Sequence, residues 1–313
     1  MYTPGVVTKE GEDHGAALPF ATVGCSRIMT CNLSDCSATP ALPAETIAAA
    51  FRGNVVQFMG DSITAELECD LRRALASIAV LVQPLPCDKR RTPVCPDKYA
   101  NTFTDANGVN TTVLFTQVGC PWACVNNTNA TDILELKRRV NGVNGGHNAS
   151  VTVFNLGAHY TSRESRPSFQ TTLDAFREVL ADSSSRVIVI RSPNTVHFPT
   201  KSGDFDKEEY ERTKLTKRCQ AHLSILTKER QQDLVLRKMA ADLQQDTRVQ
   251  ARGARVLYLD VGGLSDYSTM HPTTHGSKER SKYVLDCLHV CETCGVLRSW
   301  NSLLASLLIQ HFP

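Results

Sequence analysis

The sequence lacks several features that would point to particular classes of protein. It has no run of about 18 apolar residues, which excludes a predicted transmembrane helix. It also has no internal repeat, which argues against a solenoid. The formal charge is only +2, and its Lys and Arg residues are interspersed with acids, so nothing predicts a nucleic-acid partner. With 42% hydrophobic and 21% charged residues, the 313-residue chain has the composition of a globular protein with a substantial core.

Cysteines and glycosylation sequons, by contrast, are plentiful. The even count of twelve cysteines, bunched in loop-like stretches, favours a disulfide framework and an oxidising compartment. Five Asn-x-Ser/Thr sequons precede residue 151, at Asn32, Asn110, Asn126, Asn129 and Asn148. We therefore expect an N-glycosylated protein of the secretory pathway, in the Golgi lumen or outside the cell. The first residues do not resemble a signal peptide, so we expect the targeting segment to be missing from this chain; the alternative is a cytosolic protein with reduced cysteines.

Short β-branched runs alternate with helix-like segments from about residue 54 onward. Strands are predicted at 54–59, 111–118, 150–156, 186–192 and 254–261, and helices at 44–53, 64–81, near 168–181, within 207–250 and at 295–312. This alternation predicts an α/β fold, a three-layer αβα arrangement around a parallel sheet. We expect residues 1–50 to form a cysteine-containing N-terminal arm. Residues 51–313 would form one domain with disulfide-rich surface insertions near 82–110 and 119–149.

A Gly60-Asp61-Ser62 turn lies between the first strand and the following helix. A serine at the start of a helix is close to backbone N–H groups and to the positive end of the helix dipole, which favours developing negative charge. Asp61 or Ser62 could equally be an ordinary helix cap. The tripeptide alone does not decide between the two interpretations.

A nucleophilic serine needs a base and an orienting carboxylate, and the segment VLDCLHVCETC offers both. Asp286 and His289 are three residues apart, a spacing that puts both side chains on one side of a helical turn or tight loop. A competing interpretation is a zinc site. Its possible ligands are Cys287, His289, Cys291 and Cys294. The sequons and the other cysteines favour disulfides over zinc here.

Four blocks in order along residues 53–311 resemble the PC-esterase domain of the SGNH (GDSL-type) superfamily. This domain occurs in trichome-birefringence-like polysaccharide O-acetyltransferases and in neurexophilin-and-PC-esterase proteins. The blocks are Asp-Cys-x-His-x-Cys followed by Gly295 and Trp300-Asn301, the upstream His271-Pro272, the strand with Asn155-x-Gly157, and IRSPNTVHF. The resemblance implies a flavodoxin-like parallel sheet of the SGNH hydrolase type.

The same resemblance assigns roles to individual residues. Ser62 would be the nucleophile, His289 the general base and acid, and Asp286 its orienter. The oxyanion hole would comprise the Ser62 N–H, Gly157 and Gly119. The implied substrate-binding residues are Asp61, His159, Arg191, His197 and His271. For His271, a structural hydrogen bond or a second base paired with Asp266 are alternatives.

The function implied is serine-dependent transfer of an acyl group, most simply acetyl, to or from carbohydrate hydroxyls. The partners would be a carbohydrate or polysaccharide and an acyl donor, with no metal or organic cofactor. This chain has Thr64-Ala65-Glu66 where the plant enzymes have an Arg-Asn pair soon after the serine, Val290 in place of a usual Trp, and little of the plant N-terminal domain. The alternative is therefore a catalytically silent glycan- or protein-binding module of the same fold.

Overall fold

The computed structural model describes most of the expected domain and none of residues 1–40. The described residues are 41–84, 99–118, 148–157, 166–194, 196–198, 212, 219, 223–262, 275–277, 280–284, 287, 290 and 295–311.

Seven strands form one sheet in the described part of the chain. They are β1 (Val55–Gly60), β2 (Val80–Pro84), β3 (Tyr99–Thr104), β4 (Asn110–Gln117), β5 (Val151–Phe154), β6 (Val187–Arg191) and β7 (Arg255–Leu259), in the order β2-β3-β4-β1-β5-β6-β7. Strands β4, β1, β5, β6 and β7 run parallel, and β2 and β3 add an antiparallel edge. The parallel strands, numbered by their own sequence order, follow 2-1-3-4-5, which is the flavodoxin-like order. A separate ribbon pairs β8 (His275–Ser277) with β9 (Arg280–Val284).

Helices cover both faces of the sheet. They are α1 (Ala44–Phe51), α2 (Ser62–Ala76), α3 (Arg166–Ala181), α4 (Leu223–Gln245), α5 (Thr247–Ala251) and α6 (Val296–His311). Residues of α1, α2 and α6 share one hydrophobic core, and residues of α3, α4 and α5 share the other. The sheet divides its side chains between them with a period of two: Val56 and Phe58 of β1 join the first core, and Met59 joins the second. The three-layer αβα prediction is confirmed.

The sheet differs from the prediction at its β2–β3 edge. Residues 77–81 were expected to continue a helix, but α2 ends at Ala76 and β2 starts at Val80. Within the expected insertion at 82–110, Tyr99–Thr104 forms a strand paired antiparallel with β4. The sequence of this strand, YANTFT, has too few apolar residues to show a strand pattern. The sheet is therefore mixed, not wholly parallel, and the other expected insertion, at 119–149, lies almost entirely outside the described residues.

Across the residues that the structure describes, no helix combines the length and apolarity needed to cross a membrane.

Candidate active site

The carboxyl ends of the parallel strands meet at one edge of the sheet, where hydrogen bonds join them into a continuous rim. The N–H of Val118, just after β4, donates to the carbonyl of Gly60 at 2.8 Å, and the N–H of Asn155 donates to the carbonyl of Met59 at 3.0 Å. The Asn155 side-chain amide donates to the carbonyls of Arg191 and Ser192 at 3.0 and 3.1 Å. In such sheets ligands bind at this edge.

Ser62 lies on this rim as the first residue of α2, and its side chain is partly exposed. Asp61 is the N-cap, and its buried carboxylate accepts a hydrogen bond from the Ile63 N–H at 3.1 Å. The carboxylate thus satisfies one of the amides of the first helical turn. Asp61 therefore fixes the direction in which α2 leaves β1. Because Ser62 is the first residue of α2, this direction also determines the position of Ser62.

Gly60 allows this turn to pack closely against the next strand. A Cβ atom at residue 60 would lie 2.1 Å from Oγ1 of Thr64 and 2.8 Å from the carbonyl oxygen of Asn155. Both distances are far inside van der Waals contact, so any other residue would push α2 away from the rim. The Gly-Asp-Ser sequence therefore combines a close-packed residue, a helix cap and a partly exposed serine.

Two described residues relate to the predicted oxyanion hole: Gly157 itself and Val118, and both lie on this rim. Val118 precedes Gly119 and is hydrogen-bonded to Gly60, as given above. Gly157 is buried, and a Cβ atom there would lie 3.1 Å from Cβ of Pro193. Gly157 therefore allows a close approach between the loops that follow β5 and β6. Its assignment to the oxyanion hole remains a prediction.

The chain on either side of His289 is bound to this same edge of the molecule. The carbonyl of Cys287 accepts a hydrogen bond from the N–H of His197, in the loop after β6, at 2.9 Å. The N–H of Val290 donates to the Glu66 carboxylate at 3.4 Å, and Val290 is fully buried. Glu66 lies one helical turn after Ser62 on α2. Cys287 and Val290, one before and one after His289 in sequence, are thus bonded to the β6 loop and to the Ser62 helix respectively.

Cys287 is also bonded to Cys219 in a disulfide. A disulfide sulfur cannot act as a thiolate ligand, so the four-residue zinc site considered above cannot include Cys287. Within the described residues, no group of three or more His, Cys, Asp or Glu side chains is arranged to hold a metal ion.

Arg191 and His197, both predicted to bind substrate, are buried in this structure, with 0% and 1% of their surface exposed. One Nη1–H of Arg191 donates to the carbonyl of Ser192 at 3.1 Å, and its guanidinium carbon lies 5.2 Å from the centroid of the Trp300 ring. Burial lowers the pKa of Arg191 to about 10, and the nearby carboxylates of Asp61 and Glu66 oppose this shift. The guanidinium therefore remains charged at neutral pH.

Five of the predicted site residues lie outside the described residues. They are Gly119, His159, His271, Asp286 and His289.

Two further residues help to build the rim although the sequence did not single them out as site residues. Asn155 joins β5 to the end of β6, and Glu66 joins α2 to Val290. Asn155 has a signal in the sequence, since a polar residue that ends an apolar strand before a glycine favours a rim position. Glu66 has none, because its partner is 224 residues away.

Comparison with known proteins identifies the family of this chain. The sequence profile of the PC-esterase family, described as a GDSL/SGNH-like acyl-esterase family found in Pmr5 and Cas1p, matches residues 39–307. No curated protein sequence matches the chain. Among solved structures, the inhibitor-bound form of an aryl esterase from M. smegmatis is similar at 10% identity and a TM-score of 0.35, with 82% of this chain and 99% of that chain covered.

The profile covers most of the chain, including the Ser62 turn, the rim and the segment around Cys287 and Val290. Membership in this family indicates an acyl esterase or acyltransferase. The chain belongs to the PC-esterase family of GDSL/SGNH-like acyl-esterases.

Proposed function

We propose that this protein transfers an acetyl group to, or hydrolyses it from, hydroxyl groups of a glycan or polysaccharide through an acyl-Ser62 intermediate. One observation carries the proposal. Ser62 is partly exposed at the start of α2, and one helical turn further along Glu66 accepts a hydrogen bond from Val290, the residue after His289. The bond between Glu66 and Val290 supports the assignment of His289 as the base that reaches the serine in a Ser-His-Asp site.

The reaction follows from these assignments. His289 takes the proton of the Ser62 hydroxyl while Oγ attacks the carbonyl carbon of the ester donor. The tetrahedral intermediate collapses, the bond to the donor oxygen breaks, and His289 returns the proton to that leaving oxygen. Water or a sugar hydroxyl, deprotonated by His289, then attacks the acyl carbon and releases Ser62. Asp286 holds the imidazole in the required tautomer and offsets its positive charge.

The oxyanion is proposed to bind to backbone N–H groups at the start of α2 and in the loops after β4 and β5. The helix dipole at Ser62 favours negative charge at this point. We assign Gly157 and Gly119 to this site because a residue without a side chain allows an acyl oxygen to approach its backbone. This chemistry uses no metal and no organic cofactor.

Two of the three residues that depart from the plant enzymes after the serine point inward. Thr64 is fully buried and Glu66 is 6% exposed, whereas Ala65 is partly exposed. Thr64 and Glu66 therefore influence the site through packing with Gly60 and through the bond to Val290, and only Ala65 is positioned to meet an acceptor. This supports a retained acyl-transfer site, with the choice between water and sugar made by other parts of the rim.

A secretory compartment, the Golgi lumen or the cell exterior, is part of the proposal. The Cys219–Cys287 disulfide and a disulfide at Cys69 are compatible with it. Two sequon asparagines fall in the described part, and both are exposed: Asn110 begins β4 and Asn148 precedes β5. Both therefore lie at the amino ends of parallel strands, opposite Ser62, where a glycan would leave the rim open.

Labelling with a fluorophosphonate probe tests the proposal, since the probe modifies an activated serine. We expect wild-type protein to be labelled, Ser62→Ala and His289→Ala not to be labelled, and the labelled protein to lose esterase activity on acetylated sugars. If folded wild-type protein is neither labelled nor active on these sugars, the enzyme proposal is contradicted. A glycan- or protein-binding module would then be the better interpretation.

A further inference from the structure

A buried positive charge lies behind the Ser62 turn. Arg191 ends β6 and is completely buried, with its guanidinium over Trp300 of α6, the helix that bonds to α2 through Asn301. The carboxylates of Asp61 and Glu66 on the Ser62 side oppose the fall in its pKa that burial causes. Removing an isolated cation from water costs several kcal/mol unless nearby charges and dipoles compensate. The arrangement therefore depends on the negative charges of Asp61 and Glu66.

Each of these two carboxylates has a geometric task. Asp61 caps α2 through the Ile63 N–H, which sets the position of Ser62. Glu66 accepts the N–H of Val290, which ties the chain after His289 to α2. Both carboxylates are buried, with 1% and 6% exposed, so a nearby positive charge stabilises each of them.

Arg191 supplies that charge without touching the rim surface. The Nε and Nη2 atoms of Arg191 have no hydrogen-bond partner among the described residues. Arg191 therefore acts on the two carboxylates by electrostatic attraction over a distance and not through a bidentate pair of hydrogen bonds. The guanidinium is held in place by the Ser192 carbonyl and by the face of Trp300 on α6.

We propose that Arg191 is a positioning residue of the Ser62 site. Its buried positive charge offsets the negative charges of Asp61 and Glu66, and so it maintains the relative positions of the Ser62 turn and Val290. This inference rests on the proposed role of Ser62. It changes the predicted role of Arg191 from contact with substrate to support of the two ends of the site.

The test compares Arg191→Met with Arg191→Lys. We expect Arg191→Met to lower the limiting rate of fluorophosphonate labelling at least about tenfold, because small displacements of reacting groups are costly, with the half-saturating probe concentration unchanged. Arg191→Lys, which retains the charge, should recover a large part of the rate. A contact with substrate would instead change the half-saturating concentration.

The matched control is Arg72→Met. Arg72 is equally buried on α2 and pairs with Glu68 at 2.7 Å, so its loss also removes a buried cation from this helix. We expect Arg72→Met to lower the melting temperature but to keep the labelling rate per folded molecule within about twofold. If Arg191→Met does not fold, Glu66→Gln takes its place: it keeps an oxygen acceptor for Val290, removes the charge, and should slow labelling in the same way.

Labelling of wild-type protein is measured first. If wild-type protein is not labelled, the proposed function fails. If wild-type protein is labelled and Arg191→Met and Glu66→Gln react at its rate, or if Arg72→Met loses as much rate as Arg191→Met, the positioning role fails and the proposed function stands.

Discussion

The backbone N–H of His197 donates a hydrogen bond to the carbonyl of Cys287 at 2.9 Å. This bond connects the loop after β6 to the segment that continues to Val290. The Cys219–Cys287 disulfide is a second attachment of Cys287. The segment around Cys287 is therefore fixed by a hydrogen bond and a covalent bond together.

Removing the disulfide should weaken both the fold and the site. For Cys219→Ala/Cys287→Ala we expect the free energy of unfolding to fall by about 2–5 kcal/mol, as for other native disulfides. Fluorophosphonate labelling of the remaining folded protein should also slow, because the segment before Val290 loses an anchor. Urea denaturation and labelling kinetics measure the two effects, and a double variant with wild-type values of both would contradict the prediction.

Asp70 joins α2, the helix that begins at Ser62, to α6. Its carboxylate accepts bonds from the Arg298 guanidinium at 3.1–3.2 Å and from the Asn301 amide at 2.8 Å. Because the Asp70 side chain is only 10% exposed, Asp70→Ala leaves a partly buried cation unpaired, and we expect a loss of about 3 kcal/mol in unfolding free energy.

The matched control for Asp70 is Asp242→Ala. Asp242 pairs with Lys238 at 2.7 Å on the exposed face of α4, with side-chain exposures of 37% and 74%. This variant should cost less than about 1 kcal/mol. Equal losses of unfolding free energy for the two variants, measured by urea denaturation, would contradict a stabilising role of Asp70 between α2 and α6.

Glu68 makes the stability of the protein depend on pH. Burial raises the pKa of Glu68 to about 7, although Arg72 opposes the shift. Since the pKa in the folded state is higher than the 4.5 of the free side chain, the stability that this group contributes is fully present below about pH 4.5 and is lost as the pH rises through about 7.

Replacing Glu68 with Gln should remove this contribution. The difference in unfolding free energy between Glu68→Gln and the wild type should shift in favour of the variant as the pH rises from about 5 to about 8. Urea denaturation at several pH values measures it. A difference that stays constant over this range would show that Glu68 titrates alike in the folded and unfolded states.

Gly60→Ala should damage the site more than an ordinary glycine substitution. Its Cβ would lie 2.1 Å from Thr64 Oγ1, so α2 must shift; we expect a loss of about 2 kcal/mol or more and a clear fall in labelling. Gly108→Ala is the comparison, because residue 108 has open space around it and a φ of +75°. Its cost should be about 1 kcal/mol from backbone strain alone, with labelling unchanged.

Much of the fold could be predicted from the sequence because the parallel strands are buried on both faces. Continuous apolar runs such as residues 187–190 contrast sharply with the polar loops around them. The antiparallel edge was harder to see. β2 carries Val80 and Val82 at 72% and 61% exposure, so neither of these residues shows the burial of a core strand. The apolar residues up to Leu81 instead extended the helical pattern of α2.

The site was partly predictable for a related reason. Ser62 could be placed on the rim, since local order puts it directly after a buried strand. The tie between Glu66 and Val290 could not, because a hydrogen bond between residues 224 positions apart leaves no periodic trace in the sequence. Arg191 posed the opposite problem: a charged residue that ends a strand is normally expected at the surface, yet this one is buried.

The junction of α2 with α6 has a consequence for how the chain folds. Asn301 bonds to the Leu67 carbonyl and to Asp70, across 234 and 231 residues of sequence. Such contacts lose much chain entropy before they gain any packing energy, and they are the kind that slow folding. The helix that carries Ser62 can form locally, but its surroundings are completed only when two distant parts of the chain have found each other. The helix that begins at Ser62 is thus supported by contacts between residues more than 200 positions apart.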